Sequence, residues 1–426
     1  MRRLPRGVSV NATRSSILVA FLGATPGPLL WLTGIRFGTV ADTSLFGLSI
    51  VSSAFLLSWA AEAAEVDIAQ GLAVAFIALI AVLPEYAVDM TFAWKAGTDP
   101  TYAPYAVANM TGGNRLLIGA AWPMIFLLFW IRTKRPVLHL ERSYSVEVVA
   151  LAIATIYSFT IPLKGSISLI DTVILTSIFI GYIVVISRAP AEEPELVGPA
   201  RIIGTLPRRQ RRTAITLLFL AAAGSIFASA EPFAEGLIHT GTELGIDEFL
   251  LVQWLAPFAS EAPEFLVAGI LAWRGRAGVG MGALLSSKVN QWTLLIGGLP
   301  IACAFSSGAL SIHGLPLDAR QDEELFLTAA QSLFAVAVLV SLSLSAKEAI
   351  ALAALFAVQF VFPSQEVRLV LAVIYVVLAL IILVRNRAQV RAAVVTARLA
   401  FTNPSAIYTH GDDETGATPA TTHGSH

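Results

Sequence analysis

The chain has 426 residues, 56% hydrophobic and 13% charged, with a formal net charge of -1 and a mean hydropathy of +0.73. A soluble domain is about half apolar and about a quarter charged, so apolar residues in long runs exclude an ordinary soluble core and select membrane helices. Near-neutrality excludes a nucleic-acid-binding field, and the single cysteine, Cys303, excludes an internal disulfide or a thiolate metal site.

Taken in chain order, runs long enough to cross or nearly cross a bilayer, at about 20 residues each, fall at 16–35, 44–64, 70–94, 101–131, 145–162, 167–187, 213–238, 247–273, 279–306, 324–344, 346–362 and 367–384. They predict an all-α polytopic membrane protein with about 12 transmembrane helices. The first run follows Arg2, Arg3 and Arg6 and has a signal peptide as its alternative. Pro26 and Pro28 within it, and the lack of a small-x-small cleavage site, favour a retained helix. The fourth run is interrupted by Gly112 and Gly113. Residues 188–212, rich in Pro and mixed charge, read as a solvated linker. Residues 386–426 read as a disordered tail, holding His410, His423 and His426 at its end. Dinucleotide, phosphate-loop and HExxH patterns are absent, and no cofactor is expected.

Basic residues sort this topology. With the N-terminus inside, the inner segments hold Arg2, Arg3, Arg6 and Arg14, then Arg132, Lys134, Arg135 and Arg142. They also hold Arg188, Arg201, Arg208, Arg209, Arg211, Arg212, Arg274, Arg276, Lys347, Arg385, Arg387, Arg391 and Arg398, a total of 21. The outer segments hold 5: Arg36, Lys95, Lys164, Arg320 and Arg368. Both termini are therefore expected in the cytoplasm, with the chain in the plasma (inner) membrane and the lipid bilayer as its surroundings. Arg115 and Lys288 lie within apolar runs.

One stretch recurs. Leu83-Pro84-Glu85-Tyr86-Ala87-Val88, with Ala93-Trp94-Lys95 beyond it, matches Ala262-Pro263-Glu264-Phe265-Leu266-Val267 and Ala272-Trp273-Arg274. The next helices end in Leu116-Leu117-Ile118-Gly119 and Leu294-Leu295-Ile296-Gly297. In the topology above the two copies run in opposite directions, so the repeats are inverted. The expected organisation is an N-terminal segment with an extra helix (1–43), a first repeat (44–187), the linker (188–212), a second repeat (213–362), an extra helix (363–385) and the tail (386–426).

Each proline frees the carbonyl four residues earlier, at Ile80 and Ala259. The glutamate after it places a carboxylate at mid-bilayer, which costs at least about 2.5 kcal/mol. Carbonyl and carboxylate together offer hard oxygen ligands to Na+, Ca2+ or protons. Glu85 and Glu264 are thus the expected ligands of a transported cation, not of a fixed metal. Asp89, Asn109 and Asn114 gather near the first, and Ser260, Glu261, Ser286, Ser287, Lys288, Asn290 and Gln291 near the second. Pro84 to Asn109 and Pro263 to Lys288 both span 25 positions, which makes Lys288 the counterpart of Asn109. Lys288 fits either a salt bridge to Glu264 or Glu261, or a charge acting on the ion site. Asp89 fits an ion ligand, or a partner of Arg115 or Lys288. Arg115 fits a helix-end anchor or a carboxylate partner. Trp94 and Trp273 fit interfacial anchors.

These Pro-Glu stretches, each followed by a small/Asn-containing helix start, resemble the repeats of the calcium/cation antiporter superfamily, which includes sodium/calcium exchangers. The resemblance covers roughly 44–362. It implies two inverted five-helix repeats, here with an extra helix at each end, and secondary active exchange of Ca2+ or Na+ against Na+ or H+. The family's Gly-Ser-Asn motif is met loosely by Val107-Ala108-Asn109 or by Gly112-Gly113-Asn114, and by Ser286-Ser287-Lys288. Its Gly-Thr-Ser before Pro-Glu is replaced by Ala81-Val82-Leu83 and Ser260-Glu261-Ala262. The competing classes are an intramembrane carboxylate-dependent enzyme, which has no reason to repeat its site in an inverted copy, and a cation channel, for which no carbonyl-lined filter is visible.

Overall fold

The computed structural model describes residues 10–67, 82–188, 196, 198–308 and 314–402. Helices follow the apolar runs because backbone groups in a bilayer are satisfied within a helix. In chain order they are α1 (Val10–Ala24), α2 (Pro26–Thr33), α3 (Thr39–Ala64), α4 (Leu83–Ala96), α5 (Ala103–Leu116), α6 (Trp122–Thr133), α7 (Ser145–Ser158) and α8 (Leu169–Ile186). There follow α9 (Pro199–Gly204), α10 (Arg208–Leu244), α11 (Glu248–Trp273), α12 (Ala277–Asn290), α13 (Ile296–Ser307), α14 (Ala319–Leu339), α15 (Ala346–Val361), α16 (Gln365–Arg385) and α17 (Arg387–Thr402). Four two- or three-residue strands pair in two antiparallel clasps: β1 (Val137–His139) with β4 (Ser343–Ser345), and β2 (Ser166–Ile167) with β3 (Leu315–Pro316).

Nine of these stretches are long and apolar enough to span a bilayer, among the described residues. The other three expected spans differ for local reasons. The run 70–94 is described only from its end, as α4. Helix α14 carries Asp322, Glu323 and Glu324 in its first turns, and α15 has 16 residues. The first run is two helices packed into the bundle: Ser225 Oγ donates to the Ala24 carbonyl at 2.7 Å and Ser49 Oγ accepts from Gly27 N at 2.7 Å.

Several expectations are corrected. Gly112 and Gly113 do not interrupt the fourth run. The helix continues through them into a π-helical turn, Leu117–Ala121, and on into α6. A second π turn, Gln291–Leu295, joins α12 to α13 in the other copy. The linker is not wholly solvated: α9 packs on α3 with Ala200 and Ile203 buried. The structured chain also runs past 386, because Arg387–Thr402 is helical. Ile80, named for its freed carbonyl, and residues 403–426 of the tail lie outside the described residues.

Contacts between loops keep to two ends. At the arginine-rich end, Arg211 meets Asp67 at 2.7 Å and β1 pairs with β4. The hydrogen bonds from Arg211 hold the Asp67 carboxyl below its ordinary range. At the other end Lys95 meets Glu231 at 2.8 Å and Glu235 at 2.7 Å, and Arg320 meets Asp247 at 2.8 Å. There too Arg368 meets Glu323 at 2.9 Å, Lys164 pairs with Asp171, and β2 pairs with β3. Helix α4 therefore runs towards the end at which α11 begins, and the two Pro-Glu helices are antiparallel. Trp94 and Trp273 are exposed, as lipid-facing anchors are.

Candidate functional site

The site is built where α4, α5, α11 and α12 meet. Pro84 stands in the first turn of α4, where its missing N–H is no loss. That puts Glu85 beside the unsatisfied N–H groups of a helix start, where negative charge is favoured. Asp89 follows one turn on, along the same face. In α11, Pro257 and Pro263 lie inside a continuous helix, and Glu261 and Glu264 project three residues apart along one face. Close approach of α5 to α11 depends on two glycines. A Cβ on Gly112 would run into the Gln253 carbonyl, and one on Gly113 would lie 2.6 Å from Glu261 Oε1.

Gln291 ties the carboxyls together. Its Nε2 donates to Glu85 Oε1 at 2.6 Å, to Glu261 Oε1 at 3.3 Å and to Ser287 Oγ at 3.4 Å. Glu85 and Glu261 lie within hydrogen-bonding reach of each other, with Glu264 and Asp89 within electrostatic reach of Glu85. Ser287 stands close to Glu264, and Asn109 close to Asp89. Tyr86 donates to Asn290 Oδ1 at 3.0 Å.

Each candidate residue can now be placed. Glu85, Glu261, Glu264, Ser287 and Gln291 share one cluster, and Asp89 with Asn109 adjoins it. Asp89 pairs with neither Arg115 nor Lys288. The ammonium of Lys288 donates to Asn114 Oδ1 at 2.6 Å and lies 4.3 Å from the centre of the Trp292 ring. No carboxylate lies within salt-bridge distance of Lys288 among the described residues, although Glu261 attracts it from farther off. Asn109 and Asn114 are therefore both used, one for a carboxyl and one for the ammonium. Ser260 turns away: its hydroxyl donates to the Ala256 and Pro257 carbonyls of its own helix, at 3.3 and 3.1 Å.

Arg115 belongs to a different buried network. It meets Glu324 at 2.6 Å, donates to Gln359 Oε1 at 3.4 Å and stacks over Trp254 at 5.0 Å. Gln331 bonds the Arg115 carbonyl at 3.3 Å and accepts from Gln359 at 3.1 Å. Sequence reading missed this network and also missed the Tyr182 hydroxyl, which sits 2.8 Å from Ser286 Oγ. Glu324 and Gln331 stand seven residues apart in an apolar helix, and that spacing was the available signal.

One property sets the first cluster apart. Six buried oxygens find no hydrogen-bond donor: Glu85 Oε2, Asp89 Oδ1, Asn109 Oδ1, Glu261 Oε2, Glu264 Oε2 and Gln291 Oε1. Burying so many acceptors without donors costs about 1–3 kcal/mol apiece, and cations or protons are the partners that acceptors alone can take. Among the described residues no three His, Cys, Asp or Glu side chains converge on one metal position.

Comparison with known proteins agrees with this geometry. The family described as "Sodium/calcium exchanger protein" matches residues 43–188 and 214–365. A crystal structure of an H+/Ca2+ exchanger, CAX, superposes with a TM-score of 0.89 at 44% identity, covering 92% of this chain and 100% of that one. The structure of native YfkE superposes at 0.61 with 13% identity over 85% of this chain and 99% of that one. A sodium-calcium exchanger, NCX_Mj, superposes at 0.50 with 17% identity over 76% of this chain and 99% of that one. These last two share the fold. Among curated proteins none matches. A polytopic helical fold, a buried acceptor cluster on antiparallel Pro-Glu helices and a match over both halves lead to one conclusion: the chain belongs to the sodium/calcium exchanger family of integral membrane cation antiporters, whose members are transporters rather than enzymes.

Proposed function

We propose that this antiporter exchanges Ca2+ for protons by alternating access, and that the two compete for Glu85, Glu261 and Glu264. The observation that carries the reading is the set of six donor-less buried oxygens around Gln291. Ca2+ takes six to eight oxygen ligands, and the same carboxyls take protons when the metal leaves. The H+/Ca2+ exchange of the 44% identical protein supports the choice of ions. So does the chemistry that sequence reading singled out: hydroxyl ligands are missing before Glu85, and a fixed ammonium at Lys288 takes the place of one cation. In this reading Asp89, Asn109, Asn114 and Lys288 tune the field at the site, and Ser287 and Gln291 orient the carboxyls. Residues 44–187 and 213–362 are the inverted repeats, and the arginine-rich end faces the cytoplasm.

Purified protein in liposomes tests the choice of ions. A pH gradient alone should drive Ca2+ uptake, and Ca2+ entry should move protons outward. Uptake driven by a Na+ gradient and indifferent to pH would replace protons with Na+. Ca2+ flux without any counter-ion would make the protein a channel.

A further inference from the structure

A second acid lies apart from the central cluster. Glu147 is the third residue of α7, next to the arginine-rich end, and is 7% exposed. Tyr182 donates to its Oε1 at 3.3 Å, while its Oε2 is buried with no hydrogen-bond partner. The same Tyr182 hydroxyl lies 2.8 Å from Ser286 Oγ. Ser286 precedes Ser287, whose Oγ accepts from Gln291 Nε2 at 3.4 Å and which stands close to Glu264.

The helices order these groups by depth. Helix α7 leaves the arginine-rich end at Ser145, α8 reaches that end after Ile186, and α12 leaves it at Ala277. Ser286 is nine residues into α12, about 13 Å along its axis at 1.5 Å per residue. Glu147 is two residues into α7. The tyrosine side chain bridges from the shallow acid to the deep serine. Tyr182 thus joins Glu147 to Ser286 by direct hydrogen bonds, and Ser287, the next residue of α12, meets the central cluster through Gln291.

We propose that Glu147 is a proton-relay residue, through which protons pass between the central cluster and the arginine-rich end by way of Tyr182 and Ser286. The step balances without any added reagent. A proton leaving Glu264 is taken up by the serine hydroxyls, each of which passes on its own proton. Tyr182 does the same, and the last proton lands on the Glu147 carboxylate before leaving for water. Buried carboxyls inside membrane segments are costly and tend to be functional. A structural role would also be expected to satisfy both oxygens, whereas one here has no partner. The elements packed against α7 are α8, α12, α14, α17, the turn at 142–144 and the π turn Gln291–Leu295. Tyr182 is the titratable group of theirs that hydrogen-bonds to Glu147, and among the described residues Glu147 forms no ion pair. No fixed charge therefore locks its protonation state.

This inference rests on proton antiport, and one experiment separates the two. In liposomes, Ca2+ uptake driven by a pH gradient requires net proton movement; Ca2+/Ca2+ exchange at equal pH does not. Glu147→Gln should slow the first by about tenfold or more, since positioned acid–base groups contribute about a hundredfold or more. The second should stay within about twofold. Tyr182→Phe, which removes one hydroxyl, should act in the same direction, and Glu147→Asp should recover part of the rate. Equal slowing of both fluxes, or of neither, overturns the relay. If the unsubstituted protein shows Ca2+/Ca2+ exchange but no uptake driven by the pH gradient, proton antiport itself is refuted, and the relay with it.

Discussion

A single amide, Gln291 Nε2, serves two carboxyls, which leaves each with an oxygen that water cannot reach. Glu264 likewise keeps a buried oxygen without a partner, so the acid of each Pro-Glu stretch should be indispensable. Glu85→Gln and Glu264→Gln replace an acceptor by a neutral amide that neither holds a proton nor balances a cation, so both should abolish exchange while the protein remains folded. Tracer flux and a monodisperse elution profile on the same preparation check this, and normal flux in either variant removes that acid from the site. Lys288 acts differently. It bonds to a neutral amide but stands within the field of Glu261. Lys288→Met keeps the volume and removes the repulsion felt by a divalent cation. Ca2+ affinity should rise about tenfold, worth about 1.4 kcal/mol, with a shifted pH profile. A change in thermal stability alone would mean that the ammonium is merely structural. At this scale the acids and amides were legible in sequence because a charge in an apolar run stands out. Which amide serves which charge was not legible. That pairing depends on how α5 and α12 are rotated against each other, which composition does not record.

Among the helices, α5, α14 and α16 are joined by ion pairs deep in the bundle. Arg115 and Glu324 are each 2% exposed, and Arg368 reaches the same carboxylate at 3.7 Å. Removing one member leaves an uncompensated buried charge, at a cost of about 3–5 kcal/mol. Arg115→Met should accordingly lower the thermal midpoint of the purified protein sharply. The double variant Arg115→Met with Glu324→Leu should recover much of the loss. Equal midpoints for parent and single variant would show that the pair is solvated. Glycine acts at this scale too. Gly112 and Gly113 look like a break in the sequence, yet they let two helices approach until backbone meets backbone. Propensity registers the missing side chain but not the neighbour that fills its place. Helix α17 was missed for a related reason: its three arginines suggest solvent, whereas buried Ala393 and Ala400 give it a packed face.

For the molecule as a whole, the strongest sequence signal was the partition of basic residues, and the contacts respect it. Asp67 with Arg211, and Lys95 with Glu231 and Glu235, join segments assigned to the same side, and neither pairing crosses sides. Orientation follows as a prediction. With Cys303 replaced, a cysteine introduced at Thr133 should react with a membrane-impermeant thiol reagent only from the cytoplasmic side, and one at Thr98 only from the opposite side. The reverse pattern would invert the topology. Sequence gave the boundaries of most spans. It could not give the clasps, because strands of two or three residues have no periodicity to detect.

Those clasps bear on whether the chain has to be one piece. Each joins a strand from before residue 188 to a strand from after residue 314, one clasp at either end, and α3 packs along α10 between them. The two halves hold each other at both surfaces and through the middle, without help from the covalent connection. Co-expressed as separate polypeptides divided between 190 and 195, they should find each other in the membrane, co-purify and transport. The same division with Leu138 and Leu344 replaced by proline, which removes the paired backbone donors of one clasp, should weaken that association. Failure of the unsubstituted halves to co-purify would mean that the connection itself guides assembly.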